Sequence, residues 1–479
     1  MHKDRIRRVF GQPVTRRQAL KGLGAAAGIA LLAPGLPGCG DSDVAPSGQT
    51  PELQPEELDI DTLVLVMMEN RSFDHYYGAL RLEEQRAVDG LQAGFSNPGP
   101  GETSVPIFHL DPRCIADPPH SWDSSRLQIN GGRNDGFVQA HAARVGAGLA
   151  HQVMGYHNRA QLPFGYGLAD EFVICQRWFC SVLGPTWPNR FYLHSAQSNG
   201  RMNNAFPETP SGFTWPTLYD RLAAAGIEWG YYYTDVPFLT LFGNVRRQHR
   251  TYPLANFFEA ARSGQLPPVT VVDPGFGLND DHPPHDIHLG QAFVSSVLHA
   301  LGQSPQWARS LFILTYDEHG GFFDHVAPPT VDDERASVGF NQLGVRVPGV
   351  IVSPYAKRGF VSSTLYEHSS WPAFVEWLFG LEPLTVRDAN ANIFLDTFDV
   401  DRVRRHDPRP FPSLPIIEVD PDIPPECLAF QAGAAQDIEL YADAGGVPPE
   451  LDLRRESATT LRMINRELLR LGGARTRND

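Results

Sequence analysis

The sequence predicts an α/β fold built on a buried, mostly parallel sheet, and three apolar runs carry that prediction. Leu63–Met68 and Leu311–Tyr316 are short and almost continuously apolar, without the polar alternation of a strand that has one wet face, and Val345–Val352 is a third apolar stretch, interrupted by Arg346 and Pro348. Each therefore reads as a strand covered on both sides by helices. The first stops abruptly at Glu69-Asn70 and the second at Asp317-Glu318. In such sheets ligands gather at the carboxyl ends of the strands, where side chains converge on a crevice. Two strand ends delivering acidic and amide oxygens into one crevice offer the hard ligands that a divalent cation requires.

With 479 residues the chain is long enough for one large α/β domain with additions, or for two domains. Its apolar fraction of 42% and charged fraction of 20% are those of a soluble globular protein. A net charge of −15 argues against a nucleic-acid binder, whose phosphate contacts need a basic face. Anionic substrates stay open, because a bound cation inverts the field of an acidic site.

Ahead of the first strand, Thr15-Arg16-Arg17-Gln18-Ala19-Leu20-Lys21 and the apolar run Gly22–Leu36 resemble a bacterial twin-arginine export signal. The run is short for a spanning helix and carries Gly and Pro. Leu36-Pro37-Gly38-Cys39 resembles a lipoprotein box, so Cys39 is either lipidated or lies near a simple cleavage site. The chain thus divides into an export signal with its lipobox over 1–39, a polar flexible tether over 40–57, a main domain over 58–400 and an extension packing on it over 401–479. The expected location is periplasmic, secreted or lipid-anchored to the cell envelope. Cys114, Cys175, Cys180 and Cys427 permit two disulfides in an exported chain, with Cys175 and Cys180 the close pair and Cys114 with Cys427 the remainder. Buried free thiols are the alternative.

Within the main domain, several polar stretches punctuate the predicted elements. Pro118-Pro119-His120 sets His120 in a turn before a short helix, where a structural histidine has little to pack on. A helix and a buried strand are expected between Met154 and Ile174. Thr186, between Pro185 and Pro188, is either a helix N-cap or a hydroxyl at the positive end of a helix dipole, where phosphate docks and an alkoxide is stabilised. Asn189 and Arg190 stand ready to assist it. The aromatic run Trp229–Tyr233 reads as a core strand. Two prolines exclude a helix interior at Asp280–Asp286, so this loop presents three carboxylates with His282 and His285. From Gly290 an amphipathic helix is expected, with Phe293, Val294, Val297, Leu298 and Leu301 on one face. Another polar loop, Tyr366–Ser370, precedes a helix around Trp371–Leu378. The Pro-rich stretch Asp407–Pro425 reads as extended, and Leu453–Leu471 as a charged amphipathic helix that packs on the domain.

Taken in order, Met68–His75, Gly184–Arg190, Asp281–Asp286, Tyr316–His325 and Glu367–Ser370 resemble the phosphoesterase family of bacterial and plant non-specific phospholipases C and related acid phosphatases. Any one of these motifs is weak, but five in the family's order between Leu58 and Leu381 are specific. The resemblance implies an alkaline-phosphatase-like three-layer α/β/α sandwich with a mostly parallel central sheet, and a catalytic domain over 58–400. It implies that Thr186 is the nucleophile and that Glu69, Asn70, Asp317 and Glu318 hold a divalent metal ion: Ca, Mg, Mn or Zn. His120 and His282 match histidines that contact the phosphoryl group or serve as acid, with Arg190 beside the nucleophile. Asp281, His285, His368 and His325 are further site candidates. The expected function is a phospholipase C that releases diacylglycerol and a phosphorylated head group, touching the membrane surface transiently. An acid phosphatase on the same site is the alternative, and a non-catalytic surface lipoprotein that binds a ligand is the reading from another class.

Overall fold

The computed structural model of the protein describes residues 53–419, Cys427 and 453–476. The segments expected to be the export signal and most of the tether lie outside these residues, with Cys39 and parts of the expected extension. Leu53, Leu58 and Ile60 are already buried in the core ahead of the first strand.

Eight strands form the central sheet: β1 (Thr62–Met68), β2 (Val173–Cys175), β3 (Trp229–Tyr233), β4 (Thr251–Pro253), β5 (Val269–Val272), β6 (Ser310–Tyr316), β7 (Gly349–Val352) and β8 (Phe360–Ser362). Their order is β8-β2-β7-β6-β1-β5-β3-β4. β1 lies between β6 and β5, parallel to both. Every residue of β1 and of β6 is buried, as their unbroken apolar runs require. Only β7 runs against its neighbours, antiparallel to β6 and to β2, so the sheet is mostly parallel.

Helices cover both sides of this sheet. Those that matter below are α1 (Phe73–Tyr77), α2 (Trp122–Ile129), α3 (Thr186–Ser195), α4 (Ile287–Gly302), α5 (Ser370–Phe379) and α6 (Leu453–Arg470). α3 packs on α5, and α4 on α6. α4 departs from the amphipathic pattern expected of it: apart from His288, its side chains from Ile287 to Leu301 are all buried. The cause is α6, whose Leu461 joins Leu278 and Leu289 in an apolar cluster and covers what would be a solvent face.

Cys114 and Cys427 form a disulfide across 313 residues of sequence. The expected pair Cys175 and Cys180 does not form, and both thiols are buried and free. Cys175 is fixed on β2 between two paired strands. Cys180 instead turns its Sγ toward Gly344, where an added Cβ would lie only 2.2 Å from the sulfur.

Strand register places the polar residues that follow the strands. Met68 is opposite Tyr316 and Val66 is opposite Val272. Glu69, Asp273 and Asp317 therefore leave the sheet at the same edge.

Candidate active site

At the end of β1, Asn70 adopts φ 58°, a left-handed conformation that Asn tolerates better than most residues. This turns its backbone N–H onto Asp317 Oδ1 at 2.9 Å. The turn after β6 closes over it through Gly320 at φ 63°, where a Cβ would stand 2.3 Å from the Asn70 carbonyl oxygen, so no side chain fits there. Asp317 Oδ1 also accepts from the Glu318 backbone at 2.7 Å. The two strand ends are thus bonded to each other, and Glu69, Asn70, Asp317 and Glu318 come together, each at most 2% exposed.

α3 delivers Thr186 and Arg190, one turn apart, onto Glu69. Pro185 is the N-cap and Thr186 the first helical residue, so the Thr186 hydroxyl does not cap the helix. It donates instead to Glu69 Oε2 at 3.3 Å. Arg190 donates through Nε to Glu69 Oε1 at 2.8 Å, through Nη2 to the Met67 carbonyl at 3.1 Å, and through Nη1 to Asp273 Oδ1 at 3.3 Å. It is fully buried beneath Glu69, and this geometry gives it the role of fixing that carboxylate. Asp273 was not foreseen. Its signal was the same as that of Glu69 and Asp317, an apolar run, Val269–Val272, ending in a carboxylate.

Glu69, Asp273, Asp317 and Glu318 are four buried carboxylates, of which Arg190 is ion-paired to Glu69 and Asp273, and the charge imbalance shows in their acidity. Burial first and Asp317 second push Glu69 well above the usual range, against the pull of Arg190. Burial and Glu318 raise Asp317 to about 7. Burial raises Glu318 to about 8 in spite of His120. Three oxygens of the group, Asn70 Oδ1, Asp317 Oδ2 and Glu318 Oε1, are buried and have no hydrogen-bond partner. Orphaned acceptors in an acidic pocket are what a cation site requires, and an all-oxygen donor set suits a hard divalent ion.

Two histidines stand at the rim, with ring centroids 5.5 Å apart. His120 Nδ1 lies 2.8 Å from the Pro118 carbonyl and His282 Nδ1 contacts the Pro283 carbonyl. A carbonyl only accepts, so both Nδ1 atoms carry protons and both Nε2 atoms are left for other work. His120 Nε2 is 3.4 Å from Asn70 Nδ2 and 3.9 Å from Glu318 Oε1. Asp117, also unforeseen, reaches His120 Nδ1 at 3.5 Å.

The other candidates are placed behind or away from this group. His285 is buried and bonded through Nδ1 to Asp280 Oδ1 at 2.6 Å; Asp280 in turn accepts the Glu69 N–H at its carbonyl. His368 donates from Nε2 to the Asp317 carbonyl at 2.7 Å and accepts from Trp178, and burial lowers its pKa to about 4, so it is a neutral prop for the end of β6. Asp281 points into the core, where Tyr76 and Tyr316 donate to its Oδ2 at 3.0 and 2.7 Å. His325 belongs to a separate ion-pair network with Asp74 at 2.6 Å, Asp89 at 3.1 Å and Arg346. That network contains none of the residues around Thr186.

Residues 60–382 match the model of the Phosphoesterase family. Non-specific phospholipase C1 of Arabidopsis thaliana is 37% identical over 397 residues, 74% of this chain and 74% of the relative. Phospholipase C A of Mycobacterium tuberculosis is 30% identical over 386 residues, 67% of this chain and 73% of the relative. Among solved structures, the lipoteichoic acid synthase LtaP of Listeria monocytogenes aligns at TM-score 0.36 and 9% identity, covering 72% of this chain and 76% of the other.

Proposed function

Because the chain belongs to the phosphoesterase family, we propose that it is an exported, metal-dependent phospholipase C with Thr186 as nucleophile. Its substrates are glycerophospholipids, cleaved on the glycerol side to diacylglycerol and a phosphorylated head group. One observation carries the reading: the Thr186 hydroxyl, released from capping duty, sits 3.3 Å from a carboxylate in a pocket with orphaned buried oxygens.

A phosphodiester resists attack because its negative charge repels nucleophiles, so catalysis consists of charge neutralisation and positioning. Glu69, Asn70, Asp317 and Glu318 would hold a divalent cation, and such an ion supplies positive charge for the phosphoryl oxygens and lowers the pKa of a neighbouring hydroxyl. Arg190 locks Glu69, and Glu69 orients Thr186 Oγ1 by accepting its hydrogen bond. Oγ1 passes its proton to Glu69 Oε2 and forms the new bond to phosphorus as the glyceryl oxygen departs, leaving the head-group phosphate on Thr186. The Nε2 of His120 or His282, when protonated, gives its proton to the departing oxygen. The same nitrogen then takes a proton from the water that cleaves the phosphothreonine, and Glu69 returns its proton to the departing Oγ1, restoring the hydroxyl. The amino-terminal residues Thr15–Leu36 support export. The relatives reported above are named phospholipases, which favours the diester over the monoester reading.

The test is mass spectrometry of products from phosphatidylcholine and, separately, a simple phosphomonoester, with the mature protein and its Thr186→Ala variant. Diacylglycerol and phosphocholine, absent in the variant, are expected. Orthophosphate from the monoester with intact lipid would transfer the protein to the phosphatase branch.

A further inference from the structure

The substrate of the proposed reaction is held in a bilayer, and no helix among the described residues is long and apolar enough to cross a membrane. Large apolar side chains in water are therefore informative where they border the site. Leu127 is 66% exposed and Val338 56%, the two highest values among the exposed large apolar residues described, and Met202 is 36% exposed. They belong to three segments that are tied to one another and to the lead-in of α3.

Leu127 lies on α2, which starts just after His120. Its neighbour Arg126 donates to the Leu183 carbonyl at 2.6 Å, three residues before Thr186. Trp122 of the same helix packs so closely on Gly184 that an added Cβ would meet its ring at 3.0 Å. The turn bearing Val338 lies along α2: Phe340 meets Trp122 with centroids 4.9 Å apart, and Gly339 approaches the Arg126 guanidinium. Arg335 of that turn donates to Asn199 Oδ1 at 2.9 Å, joining it to the segment that carries Met202. Asn204, two residues on, accepts the N–H of Trp187 at 2.9 Å, next to the nucleophile.

We infer that Leu127, Val338 and Met202 form a docking rim that inserts into the surface of a zwitterionic phospholipid bilayer and brings the Thr186 pocket to its substrate; the inference rests on the phospholipase reading. Charge selects the kind of surface. The chain carries −15 overall and is repelled by anionic membranes. On the rim segments, residues 122–135, 199–204 and 332–338, four arginines face five carboxylates, so the rim itself is nearly neutral. A neutral apolar rim on an acidic protein fits a bilayer without net charge.

The experiment uses sedimentation with phosphatidylcholine vesicles and with phosphatidylglycerol vesicles, a divalent cation being present throughout. The full chain is compared with a Leu127→Ser, Met202→Ser, Val338→Ser variant, whose exposed positions leave the fold intact by circular dichroism. The wild type should bind phosphatidylcholine vesicles, and the variant should lose about tenfold or more in affinity and in hydrolysis of vesicle lipid. Turnover of a monomeric short-chain phosphatidylcholine should stay equal in both. Leu127→Trp should move vesicle affinity the other way, toward tighter binding. Equal vesicle binding by wild type and triple variant, no binding by the wild type, or preference for phosphatidylglycerol would overturn the rim. A change in oligomeric state with unchanged vesicle binding would reassign these residues to a contact between copies. Absence of hydrolysis of either phosphatidylcholine, with rim-dependent binding kept, would instead refute the phospholipase reading.

Discussion

Cation binding to this site should release protons, and the number follows from the structure. A carboxylate must be ionised to hold a cation, yet burial and mutual repulsion raise Asp317 to about 7, Glu318 to about 8 and Glu69 well above its ordinary value. At pH 7 the cation-free protein therefore keeps roughly nine-tenths of a proton on Glu318 and half of one on Asp317. Loading a divalent ion should expel about 1.4 protons from these two alone, and more with Glu69. Near pH 9 little remains to be displaced from the pair, so affinity should climb from pH 6 to 9 and then level. The sign for stability is the opposite. These raised carboxylates contribute stability that is complete below their unfolded values near 4 and is lost as pH rises through 7 and 8, so the cation-free protein should weaken on that interval and the ion should restore it. Calorimetry at pH 7 in two buffers of different ionisation enthalpy counts the protons directly. Glu318→Gln should reduce the count by about one. A release near zero at pH 7, or one independent of pH, would refute the assignment of these carboxylates as the cation's ligands.

Away from the site, His325 gives a second pH response: burial alone would lower its pKa, but its hydrogen bond to Asp74 and the charge of that group lift it to about 9. Its contribution is fully present below pH 6.5 and lost as pH rises through 9, so His325→Gln should destabilise by about 2 kcal/mol at pH 6 and far less at pH 10, read by denaturant melts. An equal loss at both pH values would mean that packing, not charge, holds the network. Gly290→Ala tests the core beneath the Asp280–Asp286 loop, because its Cβ would fall 1.7 Å from Asp281 Oδ1. A loss of about 3 kcal/mol is expected, and a melting temperature equal to the wild type's would show that Asp281 can turn aside without cost.

The residues legible in the sequence were those whose position needs only local structure. An apolar run that ends in Glu69-Asn70 or Asp317-Glu318 announces both a buried strand and what its end presents, and register then brings the two together. Thr186 was legible as a choice between cap and nucleophile, and the structure removes the cap: Pro185 takes the N-cap, and the Thr186 hydroxyl turns to Glu69. What stayed hidden depends on partners remote in sequence. Arg190 follows Thr186 by one helical turn, but that it holds Glu69 and Asp273 requires strands 121 and 83 residues away. Asp273 obeys the same rule as Glu69, but its strand is four residues long and leads into no conspicuous motif, so the sequence does not mark it. α4 looked amphipathic because nothing local foretells that α6 will cover it.

His325 shows the converse, adjacency without shared purpose. It follows Asp317 by eight residues in one continuous motif, yet the tight turn through Gly320 and Gly321, at φ 63° and 76°, separates the two. Asp317 stays at the sheet edge, bonded to the backbone of Asn70. Asp324 and His325 are carried to the other face of the same β1 connection, where Arg346 and Asp74 receive them at 2.9 and 2.6 Å. One half of the motif thus collects unbalanced negative charge, while the other half neutralises it within the protein. The orphaned oxygens lie in the first half, at Asp317 and Glu318. Buried carboxylates left short of partners are suited to receiving a cation, whereas Asp74 and Asp324 already have their charge met by Arg346 and His325.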